Sequence, residues 1–188
     1  MCIRDSHIAV AHAATPYISS YPWSAGFGTK YANPATLPSA DPVSVAFSPL
    51  GNAIAVGNAT TPYIYTYPWS PGFGTKYADP TALPSSGLGG WEVAFNPAGT
   101  AIAFVSSNTP AINTYPWSAG FGTKYANPAT LPGIPALKVA FNPSGTAIAV
   151  AHYISPYISV YPWSAGFGTK YADPATLPAS NGSAVAFN

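Results

Sequence analysis

Three observations predict an all-β fold of the β-propeller type, with four blade equivalents of about 46 residues, each a four-stranded antiparallel sheet. A segment reading YPWSAGFGTKYANPATLP begins at Tyr21 and returns nearly unchanged at Tyr67, Tyr115 and Tyr161, at spacings of 46, 48 and 46. A second signature, Val-Ala-Phe followed by Ser or Asn and then Pro, begins at Val45, Val93 and Val139, and its opening returns at Val185. Third, 22 Pro and 17 Gly among 188 residues, with only 6% charged side chains, argue against helices. Repeats of this length hold one supersecondary unit each and must stack to bury a core.

Taken in order, the chain opens on Met1-Cys2-Ile3-Arg4-Asp5-Ser6, which falls outside the repeat and resembles the translated end of a sequencing adapter. Residues 1–6 are therefore expected to be a non-native leader, and 7–188 to be the repeats: three complete units plus a split fourth, a possible fragment of a larger propeller. In each unit the first strand centres on Val45-Ala46-Phe47 or its copies, and the second on Ala53-Ile54-Ala55-Val56. Pro49-Leu50-Gly51-Asn52 joins them, with the fixed φ of proline and the permissive glycine that a tight hairpin uses. The third strand covers Tyr63 to Tyr67, and a weaker fourth is expected around Gly74-Thr75-Lys76-Tyr77 after the Gly72-Phe73-Gly74 bend. The terminal Val185-Ala186-Phe187 reads as one more first strand, which could complete the initial blade and close a ring.

These stretches resemble the WD40-like and YVTN-like propeller repeats, in a divergent form. Val45-Ala46-Phe47-Ser48-Pro49-Leu50-Gly51 is similar to the V-x-F-S-P-D-G turn, and Ile64-Tyr65-Thr66-Tyr67 to the I-x-x-W-D end of a third strand. Tyr67 takes the tryptophan place and Pro68 the aspartate place, so the WD dipeptide is missing, and no Gly-His pair precedes the first strand. The resemblance implies a scaffold for protein-protein interaction or assembly, with a protein partner.

Side-chain chemistry gives that expectation its limits. Six Lys+Arg against five Asp+Glu leave +1, too little positive surface for a phosphate backbone, so no nucleic acid is expected. Apolar runs break after four or five residues, far short of a bilayer-spanning helix, so no membrane is expected. One cysteine excludes an intrachain disulfide and a thiolate metal cluster. No P-loop, dinucleotide fingerprint, HExxH or GxSxG motif occurs, so the reading names no catalytic residue, cofactor or metal and expects no enzyme.

Two sets of residues carry what remains. Tyr21, Trp23, Tyr67, Trp69, Tyr115, Trp117, Tyr161 and Trp163 recur in register and are expected to pack between blades, with phenol hydroxyls bonded at the rim. His12 and His152 occupy the place of Asn58 after the second strand, and with Tyr17, Tyr63 and Tyr157 they form an aromatic and amide surface suited to a sugar. A lectin-like, carbohydrate-binding propeller with a glycan ligand is therefore the alternative function, and a homodimer completing a larger ring is a further partner expectation. Lys30, Lys76, Lys124 and Lys170 recur once per unit with Asn33, Asp79, Asn127 and Asp173 three places later, a pattern read as keeping the outer edge solvated.

Overall fold

The computed structural model describes residues 6–85 and 90–188. All regular structure among them is β. The first sheet pairs β1 (Ser6–Ala11) with β2 (Ile18–Trp23). The second joins β3 (Pro42–Phe47), β4 (Ala53–Asn58) and β5 (Ile64–Pro68), and the third β6 (Gly90–Phe95), β7 (Ala101–Ser106) and β8 (Ile112–Pro116). The fourth holds β9 (Ala136–Phe141), β10 (Ala147–His152) and β11 (Ile158–Pro162). Each of the three-stranded sheets is an antiparallel meander with its second strand central, and Val45 lies opposite Val56 as Val93 lies opposite Phe104.

The hairpin after the first strand forms because its first residue caps it. Asn96 Oδ1 accepts from the backbone N–H of Thr100 and Ala101, each at 2.8 Å, and Asn142 repeats the arrangement for Thr146 and Ala147. Ser48 Oγ does the same for Asn52 and Ala53. The turn needs a left-handed residue, and Gly51, Gly99 and Gly145 supply it at φ of 68°, 67° and 71°.

Sheets of two or three strands replace the expected four. The fourth strand is reduced to two ladder-like hydrogen bonds, from Gly74 N–H to Pro68 O and from Tyr77 N–H to Thr66 O, both 2.9 Å, and one bridge between Trp69 and Phe73. The same remnant follows β2, β8 and β11. Close packing of proline on glycine holds this corner, for a Cβ at Gly74 would lie 2.9 Å from Pro68 Cβ.

Stacking follows from the second strand, which alternates small and large side chains on its two faces. Ala53 and Ala55 of β4 lie in one cluster with Ile102, Phe104, Tyr115 and Trp117 of the next sheet. On the other face, Ile54 and Val56 pack with Ile18 of the preceding sheet. Ala101 and Ala103 likewise meet Ile148 and Val150. Each blade thus offers a flat alanine face to the bulky face of its successor, and both faces of β4 and β7 are buried.

Side chains also lock neighbouring blades together. Tyr67, Tyr115 and Tyr161 are fully buried, and their hydroxyls donate to Thr36 O, Ala82 O and Thr130 O, each at 2.8 Å. Every one of those carbonyls lies in the connection leading into the tyrosine's own blade. On the first strands, Val93 N–H donates to Ser44 Oγ at 3.1 Å, and Val139 N–H to Glu92 Oε2 at 2.7 Å.

The two ends are tied down differently. β1 begins at Ser6, the first described residue, whose Oγ donates to Trp23 O. Val185-Ala186-Phe187 forms no strand, and β1 pairs with β2 alone, so the overlap that would close four blades into a ring does not form. Gly182 N–H is instead bonded to His152 O, which holds the final segment against the fourth sheet.

Candidate functional site

The turns between second and third strands share one geometry. Each closes with a backbone hydrogen bond onto the carbonyl of the residue before the third strand: His12 N–H to Tyr17 O, Asn58 N–H to Tyr63 O, Ser106 N–H to Ala111 O and His152 N–H to Tyr157 O. Tyr17, Tyr63, Ala111 and Tyr157 all sit at φ of 69–71° after a cis proline. A left-handed conformation is uncommon for a bulky side chain, and its recurrence fixes the three phenols at corresponding places. All three are half-buried.

The polar members of the expected site lie deeper. Asn58 is fully buried, its Nδ2 donating to Ser39 O and its Oδ1 accepting from Thr60 N–H and from the hydroxyls of Ser39 and Thr60. His152 is fully buried too, with Nδ1 2.8 Å from Ile154 O and Nε2 3.0 Å from Ser159 Oγ. A neutral ring carrying its proton on Nδ1 satisfies both contacts. Burial lowers the His152 pKa, opposed in part by its hydrogen bond to Ile154 O, while the charge of Lys170 adds to the lowering and Asp173 opposes it weakly. His12 repeats the contact, its Nε2 3.0 Å from Ser19 Oγ, but it is half-buried. The structure thus places His12 beside Tyr17, Asn58 beside Tyr63 and His152 beside Tyr157, one pair per blade, with the buried amide and imidazole anchoring turns rather than facing solvent.

The opposite ends of the sheets carry the tryptophans. Trp117 meets Tyr77, Phe95 and Phe121 edge-on at centroid distances of 5.2–5.4 Å, and Trp163 meets Tyr125, Phe141 and Phe167 at 5.2–5.4 Å. Trp69 has the same three kinds of neighbour, Tyr31, Phe47 and Phe73, and adds His7 at 5.4 Å. These rings are core. Tyr21 and Trp23 stand in the first sheet, with Trp23 37% exposed and no preceding sheet against it among the described residues.

The sequence reading did not single out the grooves beside these rings. One of about 590 Å³ is lined by His7, Phe47, Leu50 and Trp69 among others, and another of about 540 Å³ by Thr81, Ala82, Phe121, Gly122, Thr123 and Lys124. Among the described residues no three His, Cys, Asp or Glu side chains gather as a metal ion would require, and no helix is long and apolar enough to cross a membrane.

No family model and no curated protein matches the sequence, so the WD40-like resemblance does not place the chain in a family. Solved structures do share its fold. A "putative 6-phosphogluconolactonase" from Bacteroides uniformis superposes with a TM-score of 0.63 at 15% identity, over 90% of this chain and 54% of that one. Another of that name, from Bacteroides fragilis, gives 0.63 at 14% identity over 92% and 45%. Kuenenia stuttgartiensis hydrazine synthase gives 0.55 at 11% over 76% and 38%. The chain spans about half the length, or less, of each of these structures.

The likeness makes the all-β, propeller-like architecture firm, and at such identities it carries the fold alone. It also corrects one expectation. A purely non-catalytic scaffold, with lectin-like binding as its alternative, was inferred from repeat wording, whereas solved chains of this fold bear the names of enzymes. A propeller fold positions loops and leaves their chemistry open.

Proposed function

We propose that this chain is part of an enzyme-type propeller that takes a sugar lactone on the face formed by the turns between second and third strands. The observation that carries the reading is the recurrence of Tyr17, Tyr63 and Tyr157 in one left-handed geometry on that face. Half-buried phenols, with Thr60 on the same turn as Tyr63, suit a ring bearing several hydroxyl groups. The names of the two lactonase-like structures support the choice of a lactone.

His12 is the imidazole assigned to the reaction, because it is half-buried beside Tyr17 whereas His152 is sealed. Its role is to draw a proton from water as the oxygen adds to the lactone carbonyl carbon. The acyl C–O bond of the ring then breaks, and the leaving oxygen takes up a proton to give the open hydroxy acid.

The test is the hydrolysis of a hexonolactone by the 188-residue chain, compared with buffer and with His12→Asn. Asparagine occupies the corresponding place at Asn58, so the turn tolerates it. The expected result is hydrolysis above the buffer rate and a loss of about 100-fold in that excess for the variant, the scale of one general base. A wild-type rate equal to buffer, or an equally fast variant, overturns the reading.

A further inference from the structure

The four units are so alike that their differences are informative. In three of the four the outer connection reads Asn/Asp-Pro-Ala-Thr, at Asn33, Asn127 and Asp173, whereas after Asp79 it reads Pro80-Thr81-Ala82. This exchange puts a threonine where Ala35, Ala129 and Ala175 stand. The second difference lies in the charge beside each outer lysine. Lys76 is paired with Asp79 and Lys170 with Asp173, while Lys30 and Lys124 donate to the neutral amide oxygens of Asn33 and Asn127, and of these two only Lys124 also has the threonine of the exchanged connection beside it.

Both differences meet in the groove of about 540 Å³ between the Thr81-Ala82 connection and the segment after β8, which Thr81, Thr123 and Lys124 line together. Repetition alone would have given Lys76 and Lys170 the corresponding neighbours, but those face Ala35 and Ala129 by register and carry an aspartate partner. The Thr81 and Thr123 hydroxyls make no hydrogen bond to other described residues. Lys124 is partly buried, and that burial lowers its pKa, so its charge is less screened by water than that of an extended surface lysine. Phe121 forms an apolar wall of the groove, and its volume lies in the roughly 300–1,000 Å³ range of small-molecule sites.

We infer that this groove is a binding site for a tetrahedral oxyanion, the phosphate of a small phosphomonoester or free phosphate, held by Lys124 and the hydroxyls of Thr81 and Thr123. The lining supplies the combination such an anion requires: one ammonium with no carboxylate paired to it among the described residues, and two hydroxyls that bond no other described residue. The apolar wall gives the organic part of an ester a surface to lie on. The site uses none of the residues assigned to the lactone face, so the two can fail separately.

The experiment is titration calorimetry of the 188-residue chain with inorganic phosphate and, separately, with a hexose 6-phosphate, at low salt. Saturable binding at one site per chain is expected, weakening as salt is raised. If the ester binds more tightly than phosphate, Phe121 contributes as proposed; equal affinities assign the site to free phosphate. Two variants borrow residues from sister units and so preserve the fold: Asn127→Asp is expected to weaken binding about tenfold by cancelling the lysine, and Thr81→Ala by about threefold. The double variant Asp79→Asn with Ala35→Thr is expected to create a second site at Lys76. Absence of saturable binding by the wild-type chain, or undiminished binding by Asn127→Asp, overturns the inference.

Discussion

The imidazole of His152 occupies the space left by Gly133: a Cβ on that glycine would lie 2.5 Å from His152 Nδ1. In the second blade the corresponding residues are Ser39 and Asn58, which hydrogen-bond directly at 3.1 Å. A large ring opposite glycine and a small amide opposite serine fill the same volume in two ways. A Cβ there would also lie 2.5 Å from Ile154 Cγ1, so Gly133→Ser is expected to destabilise the chain by about 1–3 kcal/mol through overpacking, and Gly133→Ser with His152→Asn and Ile154→Thr, the residues of the second blade, to recover most of it. Urea unfolding of the three proteins checks the coupling.

Buried His152 also makes stability depend on pH. Its lowered pKa in the folded chain means that the unfolded chain takes up the proton first, near pH 6.5. Stability from this residue is present above that pH and declines as pH falls through it. Glu92 acts in the opposite direction, since burial raises its carboxyl pKa against the pull of Val139 N–H and Lys138, and its contribution is lost as pH rises. The difference in melting temperature between wild type and His152→Asn should shrink between pH 7.5 and 5.5. A constant difference would show that the ring titrates alike in both states.

The tyrosine rim bond invites a conservative test. Tyr115→Phe keeps the ring and leaves Ala82 O without its 2.8 Å donor, and is expected to cost about 1 kcal/mol in urea unfolding. Trp117→Ala removes the ring that Tyr77, Phe95 and Phe121 surround, and is expected to cost about 3–5 kcal/mol. Equal effects from the two would contradict the assignment of the tryptophans to the core.

Glu92 links the first strands of two blades. Its Oε2 accepts from Val139 N–H, and Oε1 lies 3.5 Å from Lys138 Nζ. Glu92→Ala leaves that N–H without a partner and should destabilise by about 1–3 kcal/mol. Glu92→Ser should cost less, because Ser44 makes the corresponding bond to Val93 N–H.

Much of the architecture was legible because the repeat is a physical instruction. The period announces a stack, Pro and Gly mark its turns, and the Ala-Ile-Ala-Val alternation of β4 sets a flat face against a bulky one. The fourth strand was over-read, since its pattern of extended residues does not reveal that Pro68 packs against Gly74 in place of a full ladder. At the site, the shared position of His12, Asn58 and His152 was visible, but their burial was not. It depends on Ser39 and Gly133, which lie about 20 residues before Asn58 and His152 in sequence and meet them only in the fold. The Lys124 groove went unread because the four lysines were treated as equivalent, although Asp79, Asp173 and Asn127 already distinguished them.

The most direct test of the lactone face is NMR shift mapping with a hexonolactam, which has the shape of the lactone and is not consumed. The account predicts saturable shifts at His12, Tyr17, Tyr63 and Tyr157 and none at Thr81 or Lys124. Absence of saturable shifts, or shifts confined to residues away from those turns, would contradict it.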